Sequence, residues 1–270
     1  MCGFAEWFEC IRGIWYNTLT DSSGFPTRRK NSRHPAGGEL IRRMIAFENL
    51  PASFQNPETR QAYESLKKQR FHLVAKRFFD IVVSFLILLA LSLVFLVLAI
   101  AIRLDSPGPV FYRQVRVGRY GKEFRIFKFR TMVQNADHIG LSITTGGDSR
   151  ITRVGHVIRK CRLDEISQLL NVLCGDMSLV GPRPEVPRYV KEYRPAYFAT
   201  LLVRPGVTAQ SSIAFKDEDK ILASGGDPET IYIEKILPPK SELNLQYLRH
   251  ITVWGDIRIM GRTVAAVLKG

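Results

Sequence analysis

Residues 81–102 read IVVSFLILLALSLVFLVLAIAI, with Asp80 before the run and Arg103 after it. No charge interrupts it. As an α-helix rising about 1.5 Å per residue, the run reaches ~33 Å, enough to cross a hydrocarbon core of about 30 Å. A buried core helix is the competing reading, but an apolar run beyond about 18 residues argues for a membrane. Lys67, Lys68, Arg70, Lys76 and Arg77 precede it, and Arg103, Arg113, Arg116, Arg119 and Lys122 follow. Basic flanks at both ends give no positive-inside asymmetry. A straight span would part the two flanks, whereas a helix that bends and returns keeps both on one face. Asp105-Ser106 and then Pro107-Gly108-Pro109 stop the helix sharply.

The whole chain has 270 residues, a net charge of +14 and 46% hydrophobic content, room for one membrane segment and one sizeable domain. The basic balance points to an anionic partner: phosphate groups, an anionic bilayer or nucleic acid. No nucleic-acid-binding motif accompanies the charge, which sets nucleic acid aside. Cys2, Cys10, Cys161 and Cys174 form no CxxC pair and share no metal-ligand spacing with the histidines, so zinc is not expected. A reducing cytoplasm fits that usage. Cys161 has no histidine at a recognisable spacing and is a poor nucleophile. Neither GxxxxGK[ST] nor GxGxxG occurs, which argues against P-loop kinases and Rossmann enzymes.

Three regions follow. Residues 1–72 form an N-terminal extension, partly disordered or amphipathic, with loops at Phe25–Lys30 and Pro35–Gly38 and short helices over 39–49 and 58–72. Its opening MCGFAEWFEC lacks a basic segment and is no signal peptide. Its aromatics fit either a membrane interface or packing on the domain. Residues 73–104 form the membrane helix, re-entrant in the favoured reading, with a full span as the alternative. Residues 105–270 form the domain, with an α+β fold that is mostly helical around a small β-hairpin. Strands are expected over 110–115 and 123–132, around a turn at Gly118–Gly121. In the second, Phe127 and Phe129 share one face, Lys128 and Arg130 the other. A loop with a Gly-Gly turn covers 135–149. Helices are expected over 151–162, 163–173, 185–200, 232–237 and 243–251. Apolar residues at 163, 166, 169, 170 and 173 make one stripe, and Gly175 is a helix stop.

Asp164 and Glu165 open the 163–173 helix, where the helix dipole favours ionised carboxylates. Neighbours on a helix diverge by about 100°, so the two can take separate tasks. One is placed to attack phosphorus, the other to hold a divalent cation. The bland alternative is an acidic helix start. Lys128, Arg130, Arg159, Arg183 and Arg204 are candidate phosphate partners, against the alternative of a solvated basic face. Arg183 stands between two prolines and Arg204 precedes Pro205-Gly206, so both backbones are restricted.

These segments resemble the bacterial sugar transferase family, the monotopic phosphoglycosyl transferases. The resemblance covers about 73–264. It runs through Lys76-Arg77-Phe78-Phe79-Asp80, Ser106–Phe111, Phe127–Met132 and Asp148–Thr152. It continues through Leu163-Asp164-Glu165, Asn171–Leu173, Gly175–Pro184, Arg204–Thr208 and Tyr232–Pro238. It implies transfer of a sugar-1-phosphate from a UDP-sugar to polyprenyl phosphate, releasing UMP, at the cytoplasmic face of the bacterial inner membrane. Asp164 matches the nucleophile and Glu165 the magnesium-binding position. Arg130, Arg159 and Arg183 match positions near substrate phosphates, and Asp256 matches a C-terminal acidic position. Membrane lipids are implied as partners, and a homodimer stays open. A non-catalytic membrane scaffold is the alternative function. Two positions depart from the family pattern. Ser92-Leu93 stands where Ser-Pro is usual, leaving Ser92 to bend the helix. Ala209–Ile213 replaces the usual continuation after Thr208, in a region that bears on sugar recognition.

Overall fold

The computed structural model describes residues 44–134, 136, 148–222 and 227–268. The chain divides into two compact units, Met1–Met44 and Ile45–Gly270. Every element named below belongs to the second. The expected loops at 25–38, the start of the helix at Glu39, the N-terminal aromatics and most of the 135–149 loop lie outside the described residues.

The elements follow the local chemistry. Helix α1 (Pro57–Lys68) starts on Asn56, whose Oδ1 accepts the Thr59 N–H at 2.8 Å, with proline at the first helical position. Helices α2 (Arg70–Ala90) and α3 (Ser92–Asp105) follow. Strands β1 (Phe111–Val117) and β2 (Glu123–Phe129) pair antiparallel, Phe111 opposite Phe129 and Val117 opposite Glu123. Helix α4 (Arg153–Lys160) is capped by Thr152, and α5 (Leu169–Cys174) ends at Gly175, whose φ of 93° is the left-handed stop glycine permits. Strand β3 (Ser178–Val180) pairs in parallel with β4 (Gly206–Thr208). Between them lies α6 (Pro187–Val190). After β4 come α7 (Gln210–Ala214), α8 (Glu218–Leu222), α9 (Pro228–Ile231), α10 (Leu237–Arg249) and α11 (Val253–Leu268).

The fold is mostly helical with a small two-stranded sheet, as the α+β expectation had it. The short parallel pair β3–β4 was not foreseen, since three-residue strands carry no readable alternation. The helix expected over 185–200 is only α6 and a 3₁₀ stretch, Pro195–Leu202. Pro238-Pro239 do not separate two helices. They sit in the first turn of α10, directly after a π-helical turn at Tyr232–Ile236, so that α9, the π turn and α10 run on without a break.

The apolar run does not make one helix. Among the described residues no single helix is long and apolar enough to cross a membrane; α2 and α3 together have the length and composition, but they are bent by 62° at Leu91. No side-chain hydrogen bond from Ser92 produces the bend among the described residues, contrary to the expectation for that serine. The two helices instead pack on different cores. Phe79, Val83, Ile87 and Leu88 of α2 lie against Leu169, Leu179, Val180 and Ile259. Phe95, Leu98 and Ile102 of α3 lie against Phe129 and Ile158. Beyond α3, the Arg130 guanidinium donates to the carbonyls of Ser106 at 2.7 Å and Pro107 at 2.9 Å. Gly108, at φ 121°, permits that approach: a Cβ there would stand 2.1 Å from Arg130 Nη1.

A buried polar network fastens α2 to the domain. Lys76 bonds Asp256 of α11 and lies 3.6 Å from Asp80. Asp80 accepts from Ser178 Oγ at 2.7 Å and from the Leu179 N–H at 3.3 Å. The Tyr247 hydroxyl reaches Asp256 Oδ1 at 2.9 Å. A buried ammonium that loses its nearest carboxylate is left poorly compensated. Asp256→Ala is therefore expected to cost about 3 kcal/mol, read as thermal unfolding of the detergent-solubilised protein. A loss under about 1 kcal/mol would show that Asp80 alone satisfies Lys76.

Candidate active site

Asp164 and Glu165 lie in a 3₁₀ helix, Leu163–Gln168, that precedes α5. The sequence pattern suggested one α-helix over 163–173; the first turn is tighter. Arg162 enters it at φ 55°, a left-handed conformation that reverses the chain after α4. For a non-glycine residue that conformation costs about 1–2 kcal/mol. Ser167 Oγ donates to the Phe127 carbonyl at 3.0 Å. Asn171 accepts the Phe127 N–H at 2.8 Å and donates to the Arg125 carbonyl at 3.0 Å. The acidic turn is thereby stitched to β2, whose next residue is Lys128. The sequence reading missed Ser167 and Asn171 as supports. Asn171 stood in a quoted family motif without a stated task, and Ser167 carried no signal beyond being a small polar residue in an amphipathic segment.

Lys128 Nζ stands 3.0 Å from Asp164 Oδ2 and 3.7 Å from Glu165 Oε1. Arg183 Nη2 meets both Glu165 oxygens, at 2.9 and 3.0 Å, and Arg183 also donates to the Val207 carbonyl. Asp164 is 6% exposed, whereas the side chains of Lys128, Glu165 and Arg183 keep 28, 32 and 27% of their surface. The cluster therefore has a buried carboxylate and a rim open to an incoming ligand. Burial pushes the Glu165 carboxyl up, but Arg183 and then Lys128 outweigh it and hold it at about 2.

The remaining candidates are placed differently. Arg159 Nε donates to Thr131 Oγ1 at 2.9 Å, just past β2. Arg130 is buried under the end of α3 and spends its guanidinium on the carbonyls there. Arg204 Nε donates to the Gly175 carbonyl at 2.8 Å, and burial pulls its pKa down to about 10. Asp256 sits in the Lys76 network, where burial raises its carboxyl against the pull of Lys76. Asp164, Glu165, Lys128 and Arg183 are thus brought together, while the hydrogen bonds of Arg130, Arg204 and Asp256 serve the frame around them.

Among the described residues no group of three or more His, Cys, Asp and Glu side chains could hold a metal ion. Magnesium does not need one, since it takes one or two carboxylates with phosphate oxygens and water. Asp164 and Glu165 already converge on one cation, the Lys128 ammonium, and that donor set fits magnesium delivered with a phosphate ligand.

The Glu165 carboxyl titrates at about 2 instead of its usual 4.5, so its ion pairs stabilise the fold in full above pH 4.5. That contribution is lost as pH falls from 4.5 toward 2. Glu165→Gln is expected to flatten this acid limb in a plot of unfolding midpoint against pH. An acid limb identical to that of the parent would contradict the Lys128–Glu165–Arg183 arrangement.

Comparisons with known proteins bear on the same residues. Residues 71–270 match the bacterial sugar transferase family. The chain is 37% identical over 209 residues to a UDP-N-acetylgalactosamine-undecaprenyl-phosphate N-acetylgalactosaminephosphotransferase of Aeromonas hydrophila, covering 76% of this chain and 46% of that protein. It is 39% identical over 192 residues to a UDP-glucose:undecaprenyl-phosphate glucose-1-phosphate transferase of Escherichia coli, covering 70% of this chain and 39% of that one. A protein of the same description from Caulobacter vibrioides is 36% identical over 196 residues, covering 72% of this chain and 69% of its own length. The chain spans less than half the length of the first two relatives. The match begins at the second residue of α2 and takes in the bent helices, both strand pairs and the Asp164–Glu165 cluster, so the chain belongs to the bacterial sugar transferase family.

Proposed function

We propose that this protein is a phosphoglycosyl transferase that moves a sugar-1-phosphate from a UDP-sugar to polyprenyl phosphate at the cytoplasmic face of the bacterial inner membrane. It would thereby begin assembly of an exopolysaccharide, capsule, O-antigen or glycoprotein glycan. The observation that carries this reading is the pairing of a buried Asp164 with Lys128, beside Glu165 clamped by Arg183. Family membership and the undecaprenyl-phosphate transferases among the relatives support it. The bent α2–α3 pair, with Phe85, Leu86, Leu89, Leu93 and Leu96 more than half exposed, supplies a surface suited to lipid.

The chemistry runs in two displacements. Lys128 holds Asp164 Oδ2 and orients the carboxylate. The other Asp164 oxygen attacks the sugar-linked phosphorus of the UDP-sugar. The bond from that phosphorus to the bridging oxygen breaks, and UMP leaves with the electron pair. A phosphate oxygen of polyprenyl phosphate then attacks the same phosphorus, and the Asp164 carboxylate is released. Phosphoryl transfer asks the protein mainly for positioning and charge neutralisation. Lys128 and Arg183 are placed to meet the phosphate oxygens. Magnesium, held by Glu165 with Asp164 adjacent, would supply further charge neutralisation when bound. Residues after Thr208 adjoin the Val207 carbonyl that receives Arg183, which supports a part for them in nucleotide or sugar recognition.

The test is purified full-length protein with undecaprenyl phosphate and a panel of UDP-sugars, read as UMP release. One sugar is expected to react, Asp164→Asn to lose at least ~1000-fold, and Arg183→Ala ~100-fold. Without the lipid acceptor, intact mass is expected to show one phosphosugar adduct, absent in Asp164→Asn. No UMP from any sugar, or full activity in Asp164→Asn, would return the chain to the non-catalytic scaffold reading.

A further inference from the structure

We propose that Glu185 and Tyr232 are positioning residues for Arg183: their hydrogen bond locks the one free joint of the segment that presents its guanidinium to phosphate. The assignment rests on the reading of the chain as a phosphoglycosyl transferase. The segment is Pro182-Arg183-Pro184-Glu185-Val186-Pro187. The proline ring fixes φ at about −65° at positions 182, 184 and 187. A residue before proline is held to extended backbone, which restricts Arg183 and Val186. Glu185 alone in this run is neither a proline nor followed by one.

The main chain on both sides of Arg183 is tied down. The Pro182 carbonyl accepts the Gly206 N–H of β4 at 2.9 Å. From β1, Arg116 Nη1 donates to the Pro184 carbonyl at 3.0 Å and the Val117 N–H to the Glu185 carbonyl at 2.9 Å. What these bonds leave open is the joint at Glu185, and its side chain is turned inward. Glu185 is 8% exposed, and among the described residues no cation lies within ion-pair distance of its carboxyl. Arg116 spends its guanidinium on Gln114 and the Pro184 carbonyl. The one side-chain donor to Glu185 among those residues is the Tyr232 hydroxyl, at 2.7 Å. A buried carboxyl with a single donor is costly to keep, and an apolar side chain of similar volume would pack without that cost. Stability alone does not account for it.

Tyr232 is held so as to keep that bond. It opens the π-helical turn, a departure from α geometry that recurs at functional sites. Its buried ring lies 4.4 Å from that of Tyr189 in α6, and Lys240 Nζ stands 5.1 Å from its centroid. Burial, and then the Glu185 carboxyl, push the hydroxyl well above its ordinary range, so it stays a donor. Arg183 faces the opposite demand. At rest it meets Glu165 and the Val207 carbonyl, and in the proposed reaction it exchanges the carboxylate for a phosphate while its backbone stays in place. A displacement of about 1 Å in a charge-neutralising group can cost roughly 100-fold in rate. A lock at Glu185 prevents that displacement.

The test uses full-length protein, undecaprenyl phosphate and the UDP-sugar that the parent accepts, read as kcat/KM for UMP release. Tyr232→Phe keeps the ring and is expected to lose about tenfold. In an Arg183→Ala background the same change is expected to cost less than about twofold, because the group it positions is gone. Glu185→Gln still accepts from the tyrosine and is expected to stay within about threefold of the parent, while Glu185→Ala falls about tenfold. If Tyr232→Phe does not fold, the two Glu185 variants, with and without Arg183, decide in its place. Full activity in Tyr232→Phe overturns the assignment. So does an equal loss in both backgrounds, which means a general loosening of the core, or a Glu185→Gln as slow as Glu185→Ala. An active parent with an unaffected Tyr232→Phe refutes the assignment alone; a parent that releases no UMP from any UDP-sugar refutes the phosphoglycosyl transferase reading and the assignment with it.

Discussion

An ammonium taken out of water must be answered by carboxylates close at hand, and at the foot of α2 Lys76 is answered by Asp80 and Asp256. The rest of the domain is arranged around that requirement. Asp80 receives hydrogen bonds from Ser178 and Leu179 of β3, and Asp256 receives one from Tyr247 of α10. One charged group thus sets α2 against β3, α10 and α11 together. Strand β3 then runs directly into the segment that carries Arg183 between its prolines. The orientation of the apolar helix and the placement of Arg183 share one anchor.

The same electrostatic logic recurs at the Asp164–Glu165 turn with a different purpose. There Lys128 also lies between two carboxylates, but about a quarter of its side chain stays exposed. Charges enclosed on all sides hold elements together; charges left with an open face can exchange partners. Lys128 and Arg183 are of the second kind, the property on which the proposed phosphate binding rests. Arg130 and Arg204 are of the first kind, since each is committed to backbone carbonyls at the end of a helix. Arginines that look equivalent along the chain thus divide by where their fork points.

Much of this was readable before any coordinates. The hairpin, the acidic turn, the stop at Gly175 and the apolar run all follow from periodicity and turn chemistry, and the ordered motifs named the family. Other features left no local trace. The left-handed Arg162 has no glycine to announce it. Strands β3 and β4 have three residues each and exist because Gly206 and Thr208 meet Ser178 and Val180 across the fold. Ser92 was expected to bend the apolar helix, yet two separate cores draw its halves apart at Leu91. Asp256 was a candidate because the resemblance matched it to a C-terminal acidic position. Its partner, Lys76, lies 180 residues away.

The amino-acid sequence by itself determined which chemistry this chain carries: a charge-free run long enough for lipid, adjacent carboxylates at a helix start, and basic residues in number. Those are properties of residue type and spacing, and they need no third dimension. Only the tertiary structure decided which charges meet. Lys128 joins the carboxylates while its neighbour but one, Arg130, turns to the end of α3, because successive burial and hydrogen-bond demands along β2 are met by different elements. Desolvation makes every buried charge seek a partner, and the partner is chosen by packing between segments far apart in the chain.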